Sequence, residues 1–244
     1  MPILSDKQQL EKKIATRFQK AIYGYQLIED NDRILVGLSG GKDSLCLLEM
    51  LSKRQQIFKP QFALEAVHIR MRNIKYETDT SYLERFCLDR GVKLHVEISE
   101  FNSSTDNRKT PCFLCSWNRR KRLFEMAQEL KCNKIALGHH LDDIVHTTMM
   151  NLFFQGSFST MPIKLKMTKM PITIIRPLCL ECEDDLRNYA QFNNYAKQIK
   201  ACPYENCSQR TVMKRIFNEI ENQNKEARYS VLNALEKECK LIEE

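Results

Sequence analysis

Ser39-Gly40-Gly41-Lys42-Asp43-Ser44 brings two glycines, two hydroxyls, a cation and a carboxylate into six consecutive positions. Glycines let a backbone turn tightly and approach an anion. A helix that follows such a turn offers free N–H groups and the positive end of its dipole. The chemistry that fits is phosphate binding, with amides and hydroxyls around the oxygens, Lys42 adding charge and Asp43 placed to hold Mg²⁺. It is not a Walker loop, because Asp43 follows Lys42 where Ser or Thr is required, and it is not G-x-G-x-x-G. The bland alternative is an ordinary glycine-rich strand-to-helix turn with an acidic residue at the helix start.

Sulfur is the second resource. The chain has ten cysteines, and Cys112-Phe113-Leu114-Cys115 forms a C-x-x-C just after Pro111 at an expected helix start. Cys202 and Cys207 come much later, with four residues between them, before the last helical stretch. One C-x-x-C suits zinc, an iron–sulfur cluster or a redox pair. Two pairs could close a structural zinc site, whereas a cluster held by three cysteines would leave one iron open; spacing does not choose between them. Cys46 and Cys132 read as small core residues, and Cys87, Cys179, Cys182 and Cys239 show no partner spacing. Gly138-His139-His140-Leu141-Asp142-Asp143 is the third group. Its carboxylates are either helix caps and dipole partners or contacts to Mg²⁺ or substrate, and its histidines read as loop side chains rather than metal ligands. Arg119-Arg120-Lys121-Arg122 is either a solvated helical face or a phosphate-binding one.

These groups need a scaffold. The chain has 244 residues, 43% hydrophobic and 28% charged, with seven Gly and seven Pro. That composition excludes collagen-like and low-complexity chains and leaves room for a large core. No apolar stretch approaches the roughly 18 residues of a membrane span, and the first residues lack a signal peptide's apolar centre. The expectation is a cytoplasmic protein with reduced thiols and no membrane partner. The net charge of +7 suits a polyanion. Apolar positions from Lys7 to Glu29 recur at helical spacing, and Arg33–Leu38, Ala63–Ile69, Lys93–Ile98, Lys134–Gly138 and Ile172–Ile175 read as strands. Helices are expected after Ser44, over Ser116–Leu130, after His140, after Glu183, and from Ser208 to about Lys240. Strand–helix alternation predicts an α/β fold, a Rossmann-like parallel sheet with helices on both faces and ligands beyond the strands' carboxyl ends. The expected division is a helical segment over 1–30, a catalytic domain over 31–207 and a helical segment over 208–244.

The glycine loop resembles the S-G-G-x-D-S signature of the N-type ATP pyrophosphatases (PP-loop, HUP-type fold), which cleave ATP between its α and β phosphates. The chain as a whole resembles the tRNA 2-thiocytidine synthetase (TtcA-like) family from about Tyr25 to Arg210. The stretches that carry this are Ile28–Arg33 leading into Leu38–Ser44, Cys112-x-x-Cys115-Ser116 with Arg119-Arg120, Lys134–Asp143, Met161-Pro162-x-Lys164 and Ile175-Arg176-Pro177-Leu178. In that family three cysteines hold an oxygen-sensitive [4Fe-4S] cluster. The resemblance implies Cys112, Cys115 and Cys207 as its ligands, Cys207 because Cys207-Ser208-Gln209 matches the family's third ligand. The spacing of Cys202 departs from the family pattern. Related 2-thiouridine synthetases carry cysteine-rich zinc motifs near the N-terminus, whereas the first cysteine here is Cys46.

The implied activity is ATP-dependent thiolation of an anticodon-loop cytidine of tRNA. Adenylation turns the C2 oxygen into a leaving group, and sulfur from a cysteine desulfurase or other donor replaces it. Ser39, Gly40, Gly41, Lys42, Asp43, Ser44, Gly138 and His139 are the expected nucleotide contacts, with His68 beside adenine. Asp43, Asp143 and Arg119 join the three cysteines in catalysis, Asp43 also holding Mg²⁺. Arg119, Arg120 and Lys164 are expected on RNA phosphates, with Lys166, Lys169, Lys12, Lys13, Arg17 and Lys20 as extensions. Trp117 or Phe113 either stacks on the unstacked cytosine or packs in the core. A homodimer is left open. The alternatives are a 2-thiouridine or lysidine synthetase and, from another class, a non-catalytic metal-dependent RNA-binding or redox-sensing protein.

Overall fold

Ile34, Leu35 and Val36 are apolar on both sides of the strand, so β1 (Asp32–Gly37) must lie where both faces of a sheet are covered. All three are 0% exposed. The computed structural model describes residues 5–72, 74–76, 80–101, 110–197, 199–201 and 209–243. In it β1 pairs in parallel with β2 (Phe62–Met71) on one side and β5 (Lys134–Ala136) on the other. The sheet continues through β4 (Lys93–Ser99) beyond β2, and through β7 (Thr173–Ile175), β6 (Lys164–Lys166) and β9 (Ile242–Glu243) beyond β5. Its order is β4-β2-β1-β5-β7-β6-β9.

The expected parallel α/β sheet is present, with β6 running against β7. Period-two alternation divides the core. Ile34 and Val36 join a large cluster on one face, while Leu35, Val67 and Ile135 join a small one on the other. The small cluster is closed by the far end of α4 (Pro111–Glu129), through Met126 and Ala127. The large cluster takes α1 (Asp6–Gly24), α2 (Lys42–Gln55), α3 (Ser81–Leu88), α5 (Leu141–Gln155), α6 (Glu183–Phe192), α7 (Gln209–Gln223) and α8 (Ala227–Lys237).

Local chemistry sets the ends. α1 starts at a capping box, where Ser5 Oγ accepts the Gln8 N–H at 3.3 Å and Gln8 Oε1 accepts the Ser5 N–H at 2.9 Å. It stops at Gly24 rather than continuing to Glu29, because Gln26 turns to φ 48° and sends Leu27 and Ile28 into the core. The single helix expected from Ser208 to Lys240 is two, with a break around Asn224, whose Oδ1 accepts the Glu226 N–H at 3.0 Å. The periodicity reading contained neither α3 nor β6, β9 and the two-residue ladder of β3 (Lys75–Tyr76) with β8 (Lys200–Ala201). Strands of two or three residues are too short to show a period.

Candidate active site

The glycine loop lies at the carboxyl end of β1, where α2 begins. Its hydroxyls close a ring: the Gly41 N–H donates to Ser39 Oγ at 3.2 Å, and Ser44 Oγ donates to the Gly41 carbonyl at 2.9 Å. Since Ser44 spends its proton on that carbonyl, Ser39 donates across the 3.1 Å gap to Ser44. Gly40 sits at φ 81°, where a side chain would be strained. Gly138, after β5, meets the loop backbone to backbone. A Cβ there would come within 3.0 Å of the Asp43 carbonyl carbon and 3.1 Å of the Ser44 nitrogen.

A cleft of about 460 Å³ opens over this junction, lined by Ser39, Lys42, Asp43, Ser44, Gly138, His139, His140 and Asp143 together with His146, Glu183 and Lys214. Lys42 Nζ holds both Asp43 oxygens, at 2.8 and 3.0 Å, and stands 3.9 Å from Glu183. Lys214 reaches Glu183 from α7 at 2.5 Å. Burial opposes the Glu183 charge, but Lys214 outweighs it and lowers its pKa.

The Asp142-Asp143 pair divides its labour. Asp143 Oδ2 accepts the His140 N–H at 3.1 Å, capping α5 while lining the cleft. Asp142 is 6% exposed and turns away, accepting the Glu183 N–H at 2.8 Å with Arg228 at 3.3 Å. Burial works against its charge, but His140, the Glu183 amide and Arg228 hold its pKa down to about 2. Burial likewise disfavours a charged His140, and Asp142, Asp143 and Asp43 overcome it and raise its pKa. His139 Nδ1 accepts from Arg176 Nε at 3.1 Å. Burial and then Arg120 lower the Arg176 pKa to about 10.

His68 is 1% exposed, and its Nδ1 donates to the Leu38 carbonyl at 2.7 Å. It braces the end of β1 rather than lining the cleft. Cys112 and Cys115 occupy the first turn of α4, the former exposed and the latter half-buried. Thr110 caps that turn by accepting the Phe113 N–H at 3.3 Å. Two thiols three positions apart at a helix start share one side and gain from the dipole, a donor pair suited to metal. α4 flanks the cleft: Leu123 lies 3.7 Å from where a Cβ on Gly37 would stand. Arg119 is half-buried and Arg120 exposed. Among the described residues no three His, Cys, Asp or Glu side chains converge as a metal-binding group; Cys202 and Cys207 lie outside those residues.

Other expected RNA contacts are placed apart. Lys13 and Arg17 are 2.8 Å from Asp185 and clamp α1 to α6. Lys164, Lys166 and Lys169 line a separate cleft of about 720 Å³ with Lys134 and Thr173, the residues that begin β5 and β7. The cleft residues that sequence reasoning missed are His146, Glu183 and Lys214. His146 follows Asp143 by three positions on α5, a helical spacing that could have been read. Nothing local marks Lys214, brought in from α7.

The PP-loop domain family matches residues 7–198. The tRNA-cytidine(32) 2-sulfurtransferase 1 of Francisella tularensis subsp. novicida is 36% identical over 240 residues, covering 95% of this chain and 89% of that protein. The tRNA-cytidine(32) 2-sulfurtransferase of Delftia acidovorans is 37% identical over 194 residues, 78% of this chain and 61% of that one. Among solved structures, the U34-tRNA thiolase NcsA from Methanococcus maripaludis with its [4Fe-4S] cluster superimposes with a TM-score of 0.77 at 26% identity, covering 95% of this chain and 79% of that chain.

Proposed function

The chain belongs to the tRNA-cytidine(32) 2-sulfurtransferase family of PP-loop proteins, and from that premise we propose that it converts an anticodon-loop cytidine of tRNA to 2-thiocytidine, consuming ATP and releasing AMP and pyrophosphate. The observation that carries this reading is the shared sheet edge. The glycine loop with its cleft follows the carboxyl end of β1, and the cysteine helix α4 comes after β4, parallel to it on the far side of β2.

The free amides of the first turn of α2, with Lys42 and the two serines, hold the leaving pyrophosphate. Lys42 pairs with Asp43; a phosphate at the loop would draw the ammonium to itself, and Asp43 with Asp143 would be the carboxylates to hold Mg²⁺. His139, fixed by Arg176, stands at the mouth of β5 where the α-phosphate and the base meet. The cytosine C2 oxygen attacks the α-phosphorus, so that AMP later departs with that oxygen. Cys112 and Cys115, with Cys207 as third ligand, hold a [4Fe-4S] cluster, which supplies an open iron for sulfur when bound. A cysteine desulfurase or another thiol source furnishes that sulfur. No helix among the described residues is long and apolar enough to cross a membrane; the proposed place of action is the cytoplasm.

The test is nucleoside mass spectrometry of tRNA incubated anaerobically with the protein, ATP, Mg²⁺ and sulfide. 2-Thiocytidine that depends on ATP is the expected product. Thiouridine would move the target base. No thiolated nucleoside from cluster-loaded protein would overturn the enzyme reading in favour of RNA binding or redox sensing.

A further inference from the structure

The first half of α4 carries two exposed rings. Arg122 turns to β4, with Nη2 2.9 Å from Glu97, and Met126 enters the small cluster. At 3.6 residues per turn, Phe113, Trp117, Arg120 and Lys121 fall together on the opposite side. Phe113 is 47% exposed and Trp117 51% exposed, so neither is a core residue. Lys121 Nζ stands over the Trp117 ring, 5.7 Å from its centroid.

Resting on the tRNA reading above, we propose that Phe113 and Trp117 form a stacking platform for two unpaired bases of the tRNA loop that flank the reacting cytidine, with Arg120 and Lys121 on the adjoining phosphates. Neither ring lines the cleft at the glycine loop, so neither sandwiches a base held there; its neighbours in the strand are what remain to be held. The helix that carries the platform runs past that cleft, since its Leu123 side chain reaches toward Gly37, one of the cleft's lining residues. Four positions along a helix separate the two rings by about 6 Å of rise. That exceeds the roughly 3.4 Å between stacked bases of a duplex strand and matches successive bases that have been splayed apart. Charge agrees: Arg120 and Lys121 share the aromatic face, whereas Glu97 and Glu129 are taken up by Arg122 on the other side. Aromatic rings interleaved with cations are the chemistry that holds single-stranded nucleic acid.

Trp117 is the chain's one tryptophan, so its emission reports this surface alone. The full chain is titrated with unmodified tRNA and, separately, with an RNA duplex at equal ionic strength. Saturable quenching by tRNA, with little by duplex, is expected. Trp117→Ala should weaken tRNA binding about tenfold with an unchanged salt slope, and Trp117→Phe should restore most of the affinity. Unchanged emission at saturating tRNA, or wild-type affinity in Trp117→Ala, overturns the platform. Quenching without any thiolation supports the platform while overturning the enzyme reading. A wild-type chain that binds no tRNA overturns both.

Discussion

At the scale of single residues, the site depends on a contact that no side chain makes. Gly138 lets the end of β5 touch the backbone of Asp43 and Ser44. Gly138→Ala inserts a methyl group into that contact and shifts the loop by a few tenths of an ångström. ATP-to-AMP turnover should fall by about 10²-fold while the far-ultraviolet circular dichroism stays unchanged. A second residue sets a pH dependence. Glu181 is 0% exposed, and neither of its carboxyl oxygens accepts a hydrogen bond within the described residues. Burial pushes its pKa up to about 8, against the pull of Arg17. Between about pH 4.5 and 8 the folded chain keeps a proton that the unfolded chain has lost, so Glu181 makes stability decline as pH rises and level off above 8. Glu181→Gln should remove that decline, worth at most roughly 5 kcal/mol, in urea denaturation at a series of pH values.

Elements are held in place by polar knots as well as by the core. Glu49, two turns into α2, accepts from Lys53 at 2.7 Å, Tyr189 at 2.6 Å and Tyr195 at 2.8 Å, and pairs with Arg90. It therefore ties the phosphate-loop helix to the turn after α3, to α6 and to the segment that follows α6. Burial opposes its charge, but these partners bring its pKa to about 2. Glu49→Gln should cost about 2–3 kcal/mol, allowing for the exposed Lys53 and the half-buried Arg90, read as a lower urea midpoint. Such knots explain which elements were legible. The glycine loop and the strands β1, β2, β4 and β5 announce themselves through composition and β-branched runs. By contrast α3 has only eight residues, about two turns in which a helical period is hard to read, and Lys214 enters the cleft only because α7 folds back on α5. The roles of Asp142 and Asp143 were likewise undivided in sequence, since two adjacent carboxylates separate only when Glu183 and Arg228 close on one of them.

For the whole molecule, the net charge of +7 acts through where its cations stand. Lys13, Arg17 and Lys134 are engaged within the fold, whereas Arg120 and Lys121 are exposed on α4, Lys121 with Glu125 at 3.9 Å. Affinity for tRNA should fall steeply with salt, and Arg120→Ala should lower the slope of log K against log salt by about one; a flat dependence would count against this surface. The lopsided sheet has a further consequence. One end of α4 presents Cys112 and Cys115, and the other seals the small core cluster through Met126 and Ala127. Three turns of helix separate the vulnerable sulfur from the packing that must not be disturbed. If Cys112 and Cys115 hold the cluster as proposed, its oxidation would strike α4 at the end away from that packing. A chain stripped of its iron should melt within a few degrees of the loaded one in calorimetry and regain thiolation on anaerobic reconstitution. The fold so arranged makes its most perishable part a replaceable one.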